Sequence, residues 1–107
     1  MTCTIEQMAY DIRVHELAAV ELEGLRVYDE RRIIDEIEKQ LSHQPATQTR
    51  QRKCLSSPVP TFEHVPPVWE LRVGEFRVFY DVDETAKRVH IRAVRRKEPR
   101  QTTEEIT

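Results

Sequence analysis

Apolar and polar residues alternate with a period of two between Trp69 and Asp81. Such alternation sends successive side chains to opposite faces of a strand, so Trp69, Leu71 and Val73 share one face and Glu70 and Arg72 the other. The tight turn Val73-Gly74-Glu75 leads into a second strand, with Phe76, Val78 and Tyr80 on one side and Arg77, Phe79 and Asp81 on the other. The loop 83–87 precedes a third strand, in which Val89, Ile91 and Ala93 alternate with Arg88, His90 and Arg92 until Pro99 stops it. A weaker alternation over Met8–Val14 predicts a strand at the start of the chain. Between these strands the period changes. Leu17–Leu25 is rich in helix formers and carries Leu17, Val20, Leu22 and Leu25, with Gly24 as a stop. Arg26–Tyr28 links it to a second helix in which Asp29 serves as N-cap and Ile33, Ile34, Ile37 and Leu41 recur at helical spacing.

The order strand, helix, helix, loop, strand, strand, strand predicts an α+β domain spanning residues 1–107. Tight turns join the last three strands into an antiparallel meander, the first strand adds at an edge, and the N-terminal two-helix hairpin packs on one face of this small twisted antiparallel sheet of about four strands. Trp69, Leu71, Val78, Tyr80, Val89 and Ile91 are the expected core beneath Val20, Ile33, Ile34, Ile37 and Leu41, and the opposite sheet face is expected to be bare. Residues 1–7 read as frayed. The stretch 44–67 reads as a long Pro-rich loop with a short extended piece at Lys53-Cys54-Leu55, and connections of that length are functional or disordered. Thr102 and Thr103 before Glu104-Glu105 can cap a last helical turn.

Charge sharpens this picture. The net charge of −2 hides a segregation: residues 1–41 hold five basic against ten acidic residues, whereas residues 85–100 hold seven basic residues against Glu98. Basic clusters of this kind meet nucleic acid or an acidic protein, or serve as a solvated, soluble strand edge. Arg72 and Arg77 fall on neighbouring strands and on the same face, and guanidinium groups bind oxyanions in bidentate fashion. Arg50, Arg52 and Lys53 either extend that surface or belong to a solvated loop. Cys3 and Cys54 have no metal or redox spacing, and His15, His43 and His64 lie in separate segments, so neither a metal nor a cofactor is expected. Without an apolar run of membrane-spanning length or a signal-peptide pattern, the chain is expected to be cytoplasmic, with no membrane partner.

Three segments, DERRIIDEIEKQL (Asp29–Leu41), WELRVGEFRVFYDVD (Trp69–Asp83) and VHIRAVRRKEP (Val89–Pro99), resemble the RelE/ParE superfamily of toxins from bacterial type II toxin–antitoxin modules. The resemblance implies the fold derived above and a cognate antitoxin as partner. It implies a RelE-like, ribosome-dependent mRNA endoribonuclease that inhibits translation, with two alternatives: a ParE-like inhibitor of DNA gyrase that cuts no RNA, or a catalytically inactive member. On the nuclease branch the ribosome and mRNA are partners. Arg72, Arg77 and either Arg96 or Lys97 then match the family's catalytic cations, and Arg52, Lys53, Arg92 and Arg95 are expected to bind RNA. Two departures stand out. Glu70 replaces a lysine of the family pattern, as a general base or as an ion-pair partner of Arg72 or Arg77, and the ending QTTEEIT has no tyrosine where the enzymes use one. His90 is the other acid–base candidate, or a solvated strand histidine.

Overall fold

The computed structural model describes residues 9–56 and 60–107. The expected fraying of residues 1–7 and the start of the first strand at Met8 lie outside those residues. The elements are β1 (Asp11–Val14), α1 (Glu16–Glu23), α2 (Val27–Leu41), β2 (Arg52–Leu55), β3 (Val68–Val73), β4 (Phe76–Asp83), β5 (Arg88–Arg96) and α3 (Thr103–Ile106). They form an α+β fold around one five-stranded sheet of order β1-β5-β4-β3-β2. β2 to β5 are antiparallel neighbours, whereas β1 lies parallel to β5, with Asp11 opposite Arg88. The sheet is therefore mixed, with a fifth strand where the sequence suggested only a short extended piece.

The helices cover one face by the expected logic but with a different rotation. Ile33, Ile37 and Leu41, spaced by four, make the buried stripe of α2 over Leu71, Val73, Phe76, Val78, Tyr80, Val89 and Ile91. Val20 and Ile34, expected in the core, are 59% and 38% exposed; Ala18 and Leu22 are the residues of α1 that go in. Asp29 is not the N-cap. α2 begins three residues earlier than expected, behind Arg26, so Asp29 sits in the first turn, where its carboxylate suits the positive end of the helix dipole and lies 3.6 Å from Arg26 Nε.

The opposite face is not bare. Leu55, Phe62, Val68, Phe79, Ala93 and Ile106 form a second apolar cluster there, supplied partly by the segment before β3 and partly by α3. A register shift between Phe79 and Tyr80 is the cause. Phe79 pairs with Ala93 but Tyr80 pairs with Ile91, so β5 carries Arg92 as an extra residue. A bulge of this kind carries the alternation across to the other face, which is why Ala93 parts company with Val89 and Ile91. Small Ala93 opposite Phe79 leaves room for the Phe62 ring, whose centroid is 5.6 Å from that of Phe79. The long loop is fixed by buried polar contacts, since Tyr80 donates its hydroxyl to the Pro45 carbonyl at 2.7 Å. Burial pushes the Tyr80 phenol well above its ordinary pKa.

Candidate functional site

The β3–β4 hairpin places Arg72 directly opposite Arg77. Both lie on the sheet face away from the helical hairpin, as the alternation requires, together with Lys53, which is opposite Glu70 on β2. Gly74 makes the turn with φ of 58°, and a Cβ there would collide with the Arg32 guanidinium reaching over from α2. Arg96 is the register partner of Phe76, holds its guanidinium 5.2 Å from the centre of that ring, and pairs with Glu75 at 2.9 Å. The Lys97 N–H donates to the Glu75 carbonyl at 2.7 Å. One end of the sheet thus gathers Arg32, Arg72, Arg77, Arg96 and Lys97.

These cations are not equally available. Arg72 is exposed, and among the described residues Arg72, Lys53 and Lys97 form no ion pair. Arg77 is largely enclosed. Its Nη1 donates to the carbonyls of Gly74 and Phe76 at 2.8 and 2.9 Å, and its Nε lies 3.8 Å from Glu70 Oε2. Burial pushes the Arg77 guanidinium below its ordinary pKa; the Glu70 carboxylate opposes that shift and neighbouring Arg72 adds to it. Glu70 is only 2% exposed, and its Oε2 accepts a hydrogen bond from Thr103 Oγ1 of α3 at 3.1 Å. The carboxylate therefore serves Arg77 and Thr103 and has no open path to an incoming group.

Three arginines expected on the basic surface hold the fold together instead. Arg52 is buried on the helical face, donating from Nε to the Thr47 carbonyl at 3.1 Å and from Nη1 to the Gln40 carbonyl near the end of α2. Arg92 is buried against Asp81, with Nε 2.7 Å from Oδ2 and Nη2 3.4 Å from Oδ1. Arg95 Nη1 donates to the Ile106 carbonyl at 2.8 Å, and its guanidinium lies over the Phe62 ring at 5.6 Å. Its Nε is 2.6 Å from Glu21 Oε2 but out of line for a hydrogen bond, so that contact is an ion pair only.

Two participants were not legible in the sequence. Arg32 sits on the polar side of α2 and joins the cationic end only because Gly74 leaves space for it. His90 meets His15, 75 positions away, through a 2.8 Å hydrogen bond between His15 Nε2 and His90 Nδ1. Burial, then Arg92, then His90 lower the pKa of His15, which favours its neutral form. Among the described residues, no cluster of three or more His, Cys, Asp or Glu side chains is placed to hold a metal, and no helix is long and apolar enough to cross a membrane.

Residues 12–99 match a family model described as the ParE toxin of the type II toxin–antitoxin system, parDE. Among solved structures, the fold is similar to a chain of the RelBE2 toxin–antitoxin complex of Mycobacterium tuberculosis, with a TM-score of 0.67, 21% identity, and coverage of 83% of this chain and 99% of that one. It is also similar to a chain of the archaeal RelE–RelB complex of Pyrococcus horikoshii OT3, with a TM-score of 0.65 and 20% identity over 86% of this chain and 99% of that one. The isolated RelE toxin of E. coli aligns with a TM-score of 0.56 and 17% identity over 91% of this chain and 94% of that one. At these identities the likeness carries the fold. No curated protein sequence matches the chain.

Proposed function

Because the chain belongs to the ParE toxin family of type II toxin–antitoxin systems, we propose that this toxin, silenced by a cognate antitoxin, acts on RNA through the cationic end of its sheet. The supporting observation is that Arg72, Arg77, Arg96 and Lys97 gather at the β3–β4 end of the sheet, with Lys53 on the same face as Arg72 and Arg77 and Arg96 beside Phe76 on the other. Cleavage of an mRNA strand by its own 2′-hydroxyl builds up charge on a pentavalent phosphate, and fixed guanidinium groups lower that barrier by electrostatic stabilisation. Arg77, held rigid by two carbonyls and Glu70, suits charge stabilisation; exposed Arg72 and Arg96 and half-buried Lys97 suit gripping the backbone and stabilising the leaving 5′-oxygen. Glu70 can take the 2′-proton only when Thr103 moves off it, so a ribosome-bound state that lifts α3 is part of the reading.

The burial of Glu70 also favours a second reading. With Glu70 enclosed and the exposed Glu75 carboxylate paired with Arg96, the same cations can grip an acidic protein surface without chemistry, as an inhibitor of DNA gyrase would. Primer extension on mRNA from cells expressing the toxin separates the two. Cleaved transcripts, lost on Arg72→Ala, support the nuclease; intact transcripts with stalled replication overturn it in favour of the inhibitor. Arg72 is the better residue to change because it is exposed and makes no ion pair among the described residues, so its loss reads function rather than folding.

A further inference from the structure

The turn between β3 and β4 carries cations on both of its sides. Arg72 and Arg77 lie on the sheet face away from the helices, whereas Arg96 lies over Phe76 on the helical side. Arg32 reaches the same turn from α2. A Cβ on Gly74 would overlap Arg32 Nη2 and sit 2.9 and 3.0 Å from its Cζ and Nη1, so the guanidinium rests against the bare Gly74 backbone. Arg77 Nη1 meets the carbonyl of that same residue at 2.8 Å. Two guanidinium groups thus flank one glycine, at most about 9 Å apart by ordinary bond lengths.

Arg32 is exposed, and nothing in the fold neutralises it. α2 offers Asp29, Asp35 and Glu36 at the three- and four-residue spacings that suit helical ion pairs. Asp29 goes to Arg26 and Glu36 to Gln40, and among the described residues Arg32 makes neither an ion pair nor a side-chain hydrogen bond. The carboxylates of the turn are matched too, Glu70 by Arg77 and Glu75 by Arg96. Arg32 and Arg72 are left uncompensated, one on each side of the hairpin tip. Like charges gathered on one turn repel, and an anion laid between them removes that cost. The placement also sets the shape of the anion. A chain of phosphates touches both sides only by bending over Gly74, where no side chain stands in its way. A single strand can do so; a double helix, stiff over lengths far beyond a β-turn, cannot.

We infer that Arg32 is a phosphate-binding residue and that a single-stranded nucleic acid crosses the hairpin tip at Gly74. Arg32 holds one phosphate on the helical side, and Arg72 and Arg77 hold its neighbours along the strand on the other. This rests on the RNA reading above and adds to it a contact borne by a helix and a path for the strand. Arg32 grips the backbone and takes no part in bond breaking. Gly74 has two duties: its positive φ closes the turn, and its bare Cα admits both the guanidinium and the strand.

The test measures, by fluorescence anisotropy, binding of the full chain to a labelled 2′-O-methyl RNA strand and to the same strand in a duplex. That RNA has no free 2′-hydroxyl and so stays uncut. Wild type is compared with Arg32→Gln, Arg32→Lys and Arg72→Ala, and circular-dichroism melts confirm that each variant is folded. Wild type should prefer the single strand by at least about fivefold. Arg32→Gln should bind it several-fold less tightly, with a salt slope shallower by about 0.7, the share of one phosphate contact on a single strand. Arg32→Lys should keep the wild-type slope, because it keeps the charge. Wild-type affinity and slope in Arg32→Gln overturn the inference, and so does a duplex bound as tightly as the strand. If Arg72→Ala weakens binding in that same series, the RNA reading survives the failure. No binding of either RNA by wild type overturns both.

Discussion

The Arg92–Asp81 pair yields the sharpest quantitative expectation. Its side chains are 8% and 3% exposed, and Asp81 Oδ2 also accepts the Val65 N–H at 2.9 Å. Replacing Arg92 by Met keeps most of the buried volume but strands a carboxylate whose remaining donor is that N–H. Breaking one side of a buried pair costs about 3–5 kcal/mol, a large share of the roughly 5–15 kcal/mol that holds a domain folded. For a chain of this size the melting temperature should fall by about 15–25 °C. Replacing both members, as Asp81→Leu/Arg92→Met, removes the stranded charge and leaves chiefly the Val65 N–H unpaired, at about 1–3 kcal/mol. Urea unfolding of the wild type, both single variants and the double completes a thermodynamic cycle. A single-variant loss below about 1 kcal/mol, or a double variant as unstable as the sum of the singles, refutes the reasoning. If Arg92 serves the fold, the double variant also retains growth arrest at a permissive temperature.

Other expectations follow from single contacts. Tyr80→Phe leaves the Pro45 carbonyl without its buried donor and should cost about 1–2 kcal/mol in chemical denaturation. Gly74→Ala forces a side chain into positive φ and against Arg32, and a loss of about 1–3 kcal/mol by the same measurement is expected. His15 titrates below its ordinary value in the folded chain, so the unfolded chain takes up its proton first on acidification. The stability tied to neutral His15 is complete above about pH 6.5 and is lost as pH falls through the lower folded value. Melts between pH 7.5 and 5 should show that loss, flattened in His15→Gln; identical pH profiles would remove His15 as its source.

The period of apolar residues made the meander and helical hairpin legible before any coordinates. It put Arg72 and Arg77 on the face away from the helices, where they are. Adjacent residues show where such reading stops: Arg52 and Lys53 look equivalent in sequence, but pairing with Leu71 turns Arg52 inward while pairing with Glu70 turns Lys53 outward. A bulge is equally silent in a pattern of alternation, so Ala93, read as sharing a face with Val89 and Ile91, lies on the opposite one, and the burial of Arg92 against Asp81 was not legible. The enclosure of Glu70 depends on Thr103, and the His15–His90 contact on a parallel edge pair; both join segments whose proximity no local pattern encodes.

That edge pair has a consequence for assembly. β1 joins β5 across some 77 positions of a 107-residue chain, with Ile12 beside Val89 and Val14 beside Ile91, while every other strand contact closes over a shorter span. Local hairpins form sooner than long-range pairings, since long loops cost more entropy to close. The meander should therefore consolidate first, with the outer hydrogen-bonding groups of β5 left uncapped until Asp11–Val14 arrives. During that interval the uncapped strand is a template for a neighbouring chain, and crowded nascent toxin is vulnerable to misassembly at this one place.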